Sequence, residues 1–290
     1  WDHLHRTETW AALERAAADP DWVVASRIAD VPMVRLTDDA EARLADLLAR
    51  VLDRPEAELR LELLRRAGWL PLRDRDRRLF SALTRRISAE TAAEAKAATQ
   101  AVLQRMHAGE VQVVLDALDP VIRRRETLCE VLEALCPRPY GPAHARRLAE
   151  VVLARIGADP LSTAVRVDFA GHVLDADGLS AVLCEVHEAD RLHVDAMSAA
   201  FGSIERCVAP ARVEQLLLER AAEAPALRRL ALHALVAQAR DKGWTSDRRA
   251  RLETYRADPA LVVAAAAAYV FPPPLRAEVT SPSPSRSPAT

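Results

Sequence analysis

Apolar residues recur along this chain at steps of three and four, with charged residues between them, and Pro, Gly or a short polar cluster breaks the runs at intervals. The clearest run is "LTDDAEARLADLLARVL" from Leu36. Thr37 is placed to cap a helix, and Asp38, Asp39 and Glu41 sit at the positive end of its dipole. Leu44, Leu47, Leu48, Val51 and Leu52 then form one apolar stripe. The β-branched and aromatic runs that mark strands are missing, and Ala and Leu, both strong helix formers, dominate. The pattern predicts an all-α protein.

The breaks are themselves patterned. Asp-Pro occurs in "ADPDWVVASR" at Ala18, "LDPVIRRRET" at Leu118, "ADPLSTAVRV" at Ala158 and "ADPALVVAAA" at Ala257. Asp can accept the unpaired N–H groups of a first turn, and Pro suits the first helical position because the N–H it lacks would go unpaired there. Each step is therefore predicted to start a helix. Pro55, Pro225, Ser88 and Asp190 fill the gaps, and the markers fall about 34 residues apart, a period typical of stacked helical hairpins. Each repeat has room for two helices. Two repeats share more: from Pro55 and from Pro225 both run Pro, Leu-Arg, a leucine stripe, Gly-Trp, then Asp-Arg-Arg. Gly68 and Gly243 are predicted to stop helices in the left-handed conformation, and Trp69 and Trp244 to plug the turns.

A cap Asp, then Pro, then Val-Arg or Leu-Arg in an apolar helix resembles the inner helix of HEAT and HEAT-like repeats. The matching residues are Asp159, Val165 and Arg166, more loosely Asp19, Val24 and Arg27, and, without the Asp, Pro225, Leu227 and Arg228. Thr91 to Gln112 fits poorly. The resemblance implies a right-handed α-solenoid of about eight helical hairpins over residues 1–274. The last helix, from Asp258, is apolar nearly all round and is expected to need a cover: the helix "SDRRARLETYR", the Pro-rich segment after it, or a partner. The Ser/Pro-rich segment 275–290 has no apolar periodicity and is expected to be disordered. The first residue is Trp, not Met, so the chain is expected to be a fragment lacking its N-terminus.

Charge and chemistry narrow the function. The net charge of −2 gives no global pull towards nucleic acid or an anionic membrane. Ala260 to Phe271, the longest apolar run, is about half of what a membrane helix needs. Cys129, Cys136, Cys184 and Cys207 form no Cys-x-x-Cys pair and read as reduced thiols in a cytoplasm. Arg far outnumbers Lys, which fits a GC-rich, bacterial genome. Cys184, His187, Asp190 and His193 are spaced three apart, but such steps drift round a helix, so no metal or other cofactor is expected. His187-Glu188 is one such dipeptide, where the HEAT-like di-iron hydroxylases carry several. His233 lies within an apolar stripe and reads as a packing residue. No nucleophile elbow, phosphate loop or zinc-protease motif is present, so the chain is read as not an enzyme.

Arg60–Arg86 holds nine Arg against Glu62, Asp74 and Asp76, and Arg228–Arg256 holds seven Arg and Lys242 against Asp241, Asp247 and Glu253. The resemblance implies a protein-binding scaffold or adaptor that uses its concave face, with Arg60, Arg65, Arg66, Arg228 and Arg229 as contacts, some of them at seams between repeats. The alternative is a DNA-binding protein like the HEAT-like alkylpurine DNA glycosylases.

Overall fold

In a computed structural model, residues 7–31, 36–136, 143–157, 159–220 and 224–274 are described, and among them lie sixteen α-helices and no strand. The chain divides into two compact units at Leu174/Asp175. The first contains α1 (Thr7–Ala17), α2 (Trp22–Ser26), α3 (Asp38–Leu52), α4 (Ala57–Ala67), α5 (Arg78–Arg86), α6 (Ala92–Arg105), α7 (Val111–Ile122), α8 (Arg125–Leu135), α9 (Ala143–Arg155) and α10 (Pro160–Val173). The second contains α11 (Ala176–Glu188), α12 (Val194–Arg206), α13 (Pro210–Arg220), α14 (Pro225–Lys242), α15 (Ser246–Arg256) and α16 (Leu261–Ala268). The even-numbered helices begin about 34 residues apart on average, from Trp22 to Leu261, so the predicted period is carried by real helices.

Within the first unit the packing is regular. Each helix packs on its neighbour in the pair α1/α2, α3/α4, α5/α6, α7/α8 or α9/α10. Each also packs on the corresponding helix of the next pair: α2 on α4, α4 on α6, α6 on α8, α8 on α10, and α1 on α3, α3 on α5, α5 on α7, α7 on α9. In the second unit α12 packs on α14 and α14 on α16, α11 packs on α13, and α13 and α15 lie against α14 and α16. The stripe Leu44, Leu47, Leu48, Val51 and Leu52 is wholly buried. Each such side chain contributes about 1.5–3 kcal/mol when removed from water. A single pair cannot hide both its stripes, so the neighbours complete the core.

The caps show where local chemistry was read correctly. Thr37 Oγ1 accepts from the Ala40 N–H at 3.3 Å, and Asp159 Oδ1 accepts from the Ser162 N–H at 3.2 Å with Pro160 in the first turn. The other Asp-Pro steps do different jobs. Asp19 bonds the Asp21 N–H, and Asp21, not Asp19, caps α2. Pro120 lies inside the last turn of α7, so Leu118–Pro120 ends a helix. Asp258 accepts from the Ala260 N–H at 2.8 Å in the turn ahead of α16. Ser88 and Asp190 cap nothing: Thr91 caps α6, and His193 Nδ1 caps α12. Asp190 instead takes a left-handed backbone, at φ 55°.

Two further expectations change. Gly243 is left-handed at φ 77°, but Gly68 is right-handed at φ −62°. A Cβ on Gly68 would stand 2.9 Å from Ala101 Cα, so this glycine serves the close approach of α4 to α6. Thr91 to Gln112, the poor fit, supplies that approach: α6 buries Ala95, Ala97, Ala98 and Ala101, residues small enough to bring backbones together. Trp69 is 62% exposed and plugs no turn. The turn is held by Arg105, which donates to the carbonyls of Ala67 (3.0 Å), Leu70 (2.9 Å) and Leu72 (2.5 Å). Trp244 is half-buried. The predicted disordered segment 275–290 lies outside the described residues.

Gly68→Ala should lower stability by about 1–3 kcal/mol, because the added methyl meets backbone. Asp159→Ala should lower it by about 1 kcal/mol. Urea unfolding followed by circular dichroism reads both losses.

Candidate interaction site

Most of the arginines that sequence alone leaves unassigned are bonded one period away in the chain. Arg60 Nε donates to Glu94 Oε1 at 2.6 Å, with side chains only 15% and 5% exposed, and Arg60 Nη1 donates to the Arg54 carbonyl at 2.8 Å. Arg228 Nε donates to Asp258 at 2.7 Å in an equally buried pair. Arg77 Nε donates to Glu110 at 2.6 Å, and its guanidinium also lies over the Phe80 ring, which pins this left-handed residue in place. Lys96 Nζ reaches Glu130 (2.8 Å) and Glu133 (2.7 Å), Arg212 reaches Asp177 (2.9 Å), and Arg251 reaches Glu214 (2.6 Å). Each of these carboxylates is 30 to 37 residues distant in sequence.

The predicted contact residues divide accordingly. Arg60 and Arg228 are committed between helices. Arg66 pairs with Asp30 and, at 2.5 Å, with Glu62. Arg65 is exposed and makes no ion pair among the described residues. Arg229 is half-buried, with its guanidinium 5.6 Å from the centre of the Phe201 ring. Cys184 is buried, and burial pushes its thiol up. His187 sits near the end of α11 and His193 caps α12, and no three His, Cys, Asp or Glu converge on a metal position among the described residues. His233 stacks 4.5 Å from Phe201 with Nε2 3.3 Å from Glu205, and burial holds it below the ordinary imidazole value.

Among the surfaces that stay open are the ends of α16 and a cleft in the first unit. On α16, Val263 and Ala267 are buried, while Arg249 donates to the Pro273 carbonyl and Arg256 Nη2 to the Val270 carbonyl at 2.7 Å. The helix before, α15, therefore covers part of α16 and also holds the segment that follows it. Leu261 (80%), Val262, Tyr269 (82%) and Phe271 (80%) remain exposed. In the first unit, α7 and α9 flank a cleft of about 590 Å³, lined among others by Leu115, His144, Arg147, Val151 and Arg155. Sequence reading missed it, because "AHARRLAE" carries no signal beyond an arginine doublet. No described helix is long and apolar enough to cross a membrane. Comparison of the chain with protein-family models, curated proteins and solved structures gave no match.

Removing one partner of a buried ion pair costs about 3–5 kcal/mol. Arg60→Ala should therefore lower stability by that amount in urea unfolding, while Arg65→Ala changes it by less than about 0.5 kcal/mol. The hydrogen bond from Arg228 holds the Asp258 carboxyl below its ordinary value of 3.8. Its contribution is present above about pH 4 and is lost as pH falls through the folded value. The difference in melting temperature between wild type and Asp258→Asn should be constant from pH 7 to 5 and shrink below about pH 4.

Proposed function

We propose that this chain is a non-catalytic, protein-binding scaffold in which eight HEAT-like helix pairs stack as a right-handed α-solenoid. The observation that carries the reading is the set of exposed apolar side chains at the two ends of α16. Leu261 and Val262 at its start and Tyr269 and Phe271 just after its end lie in water, and a protein contact that covers them would remove that apolar area from water. The regular pairing of helices on their counterparts in the first unit supports the stacked arrangement. In that arrangement the even-numbered helices line the concave face, where Arg65 and Arg229 offer uncommitted or lightly held charge. A phosphate backbone needs a row of free cations. With Arg60, Arg77 and Arg228 paired to carboxylates, the basic segments are less suited to DNA than their counts suggest. A bacterial cytoplasm is part of the proposal, resting on the Arg-rich composition and on four cysteines that form no disulfide among the described residues.

The test is site-specific photocrosslinking in the host. A benzophenone side chain at position 262 should give a discrete crosslinked band that is absent when Leu261 and Phe271 are both changed to Glu. A probe at the exposed position 191 serves as background. A crosslink pattern identical at the two positions would sink the reading, as would duplex DNA binding at low salt that is as strong as any protein contact.

A further inference from the structure

We propose that the cleft between α7 and α9 recognises an acidic side chain next to an aliphatic one in a peptide segment of a partner; this rests on the protein-binding reading above. His144, Arg147, Val151 and Arg155 follow one another at steps of three and four, so a single face of α9 forms one wall. Val111, Gln112 and Leu115 of α7 form the other, and at the rim a Cβ on Gly109 would meet nothing within 4 Å. About 590 Å³ suits a few side chains.

The charges around the cleft are unequally matched. Arg147 is exposed and has no ion pair or hydrogen bond among the described residues. The acids nearest in sequence are all engaged. Asp116 accepts from Gln112 at 2.7 Å, Asp119 is shared by Arg123 (2.6 Å) and Arg155 (3.6 Å), Glu150 faces Arg146 at 3.6 Å, and Glu110 holds Arg77. Arg147 thus differs from the seam arginines described above, each of which has a carboxylate or a carbonyl for a partner. His144 also lines the cleft; its Nε2 is buried with no hydrogen-bond partner among the described residues, so a ligand meets it once the ring turns. Beneath these groups Leu115 is buried and Val111 and Val151 are half-buried. One free guanidinium, one half-shared guanidinium and one imidazole over an aliphatic floor fit a carboxylate beside a Leu, Ile or Val. A nucleic acid backbone would need more free cations and no apolar floor.

The test selects a displayed library of random dodecapeptides against the whole chain. Enriched peptides are then measured by fluorescence anisotropy. The expected consensus has Asp or Glu beside Leu, Ile or Val. Arg147→Glu should weaken binding at least about tenfold, as loss of a charge-assisted pair does. Arg191→Glu, at an exposed site in the other unit, should change it less than about twofold. Changing the peptide's acid to its amide should reproduce the tenfold loss, which keeps the test decisive if Arg147→Glu unfolds. Three outcomes overturn the proposal: no acidic consensus, undiminished binding to Arg147→Glu, or displacement of the peptide by an equal concentration of inorganic phosphate, which would make this a free-anion site. Peptides that bind Arg147→Glu normally but fail on Leu261→Glu/Phe271→Glu would refute the cleft and leave the scaffold reading standing. No enrichment on either surface would refute both.

Discussion

An arginine as buried as Arg60 can stay charged only where a carboxylate or carbonyl meets it, and here the partner comes from the next helix pair. That condition ties the pairs in register. Apolar burial favours any close packing of one stripe on another and does not say which turn should meet which. A guanidinium that must reach Glu94, Glu110 or Asp258 does say so, because a slip of one turn, about 5.4 Å, would leave a buried charge unpaired. Carbonyls serve as well as carboxylates. Arg54 donates to the Ala17 carbonyl at 2.7 Å, and Arg124 to the Ala89 carbonyl at 3.1 Å, so helix ends with unpaired C=O groups are satisfied by the neighbouring pair. Arginine suits this work better than lysine, since a planar fork with five donors can meet two groups at once.

The seams are not all alike. Where α4 meets α6 the contact is made by Gly68 and the alanines of α6, and the backbones come close. Around α3, the helix and its neighbours α4 and α5 bury mainly leucines instead. In the second unit the seam is polar at its centre. Glu214 is 1% exposed and receives Arg251 Nη1 at 2.6 Å and the Tyr255 hydroxyl at 3.2 Å, while Arg251 Nη2 reaches Gln238 at 3.2 Å. Burial pushes the Glu214 carboxyl up and the Tyr255 phenol up as well. Such a network is worth most as a specifier of one arrangement, because every member must find its partner.

Much of this was open to reading from the chain. The all-α class, the period near 34 and the stripe from Leu44 to Leu52 follow from spacing alone. The helix starts were harder, because Asp-Pro has two meanings. At Asp159 it caps and begins a helix, whereas at Asp119 the same dipeptide sits in a last turn. Local propensity allows both, and tertiary packing decides. The arginines are hard to assign for a related reason. Counted along a segment, Arg60 to Arg86 looks like surplus positive charge. Counted across one period, Glu94 stands 34 residues after Arg60 and Glu110 stands 33 after Arg77, and the surplus largely vanishes. The period is legible in the sequence, and the pairs lie at that offset. No such offset points to His144 or Arg147, because the cleft depends on how far apart α7 and α9 stand, which no spacing records.

Where pairing at the seams stops, surface becomes available. Along the helices of the first unit many charges near a junction are matched, and some among the described residues are not. Arg147 is such an exception on the polar side, and Leu261, Tyr269 and Phe271 are the counterpart on the apolar side. The two leftovers differ in kind. An unmatched guanidinium is well solvated and costs the fold little, so it can persist without a partner. Exposed aromatic and aliphatic side chains hold water at an unfavourable boundary, and that cost scales with their area. A ligand at the cleft would therefore gain mainly in specificity, through one charge and one unmet imidazole nitrogen. A partner on α16 would gain mainly in affinity, through the area it removes from water.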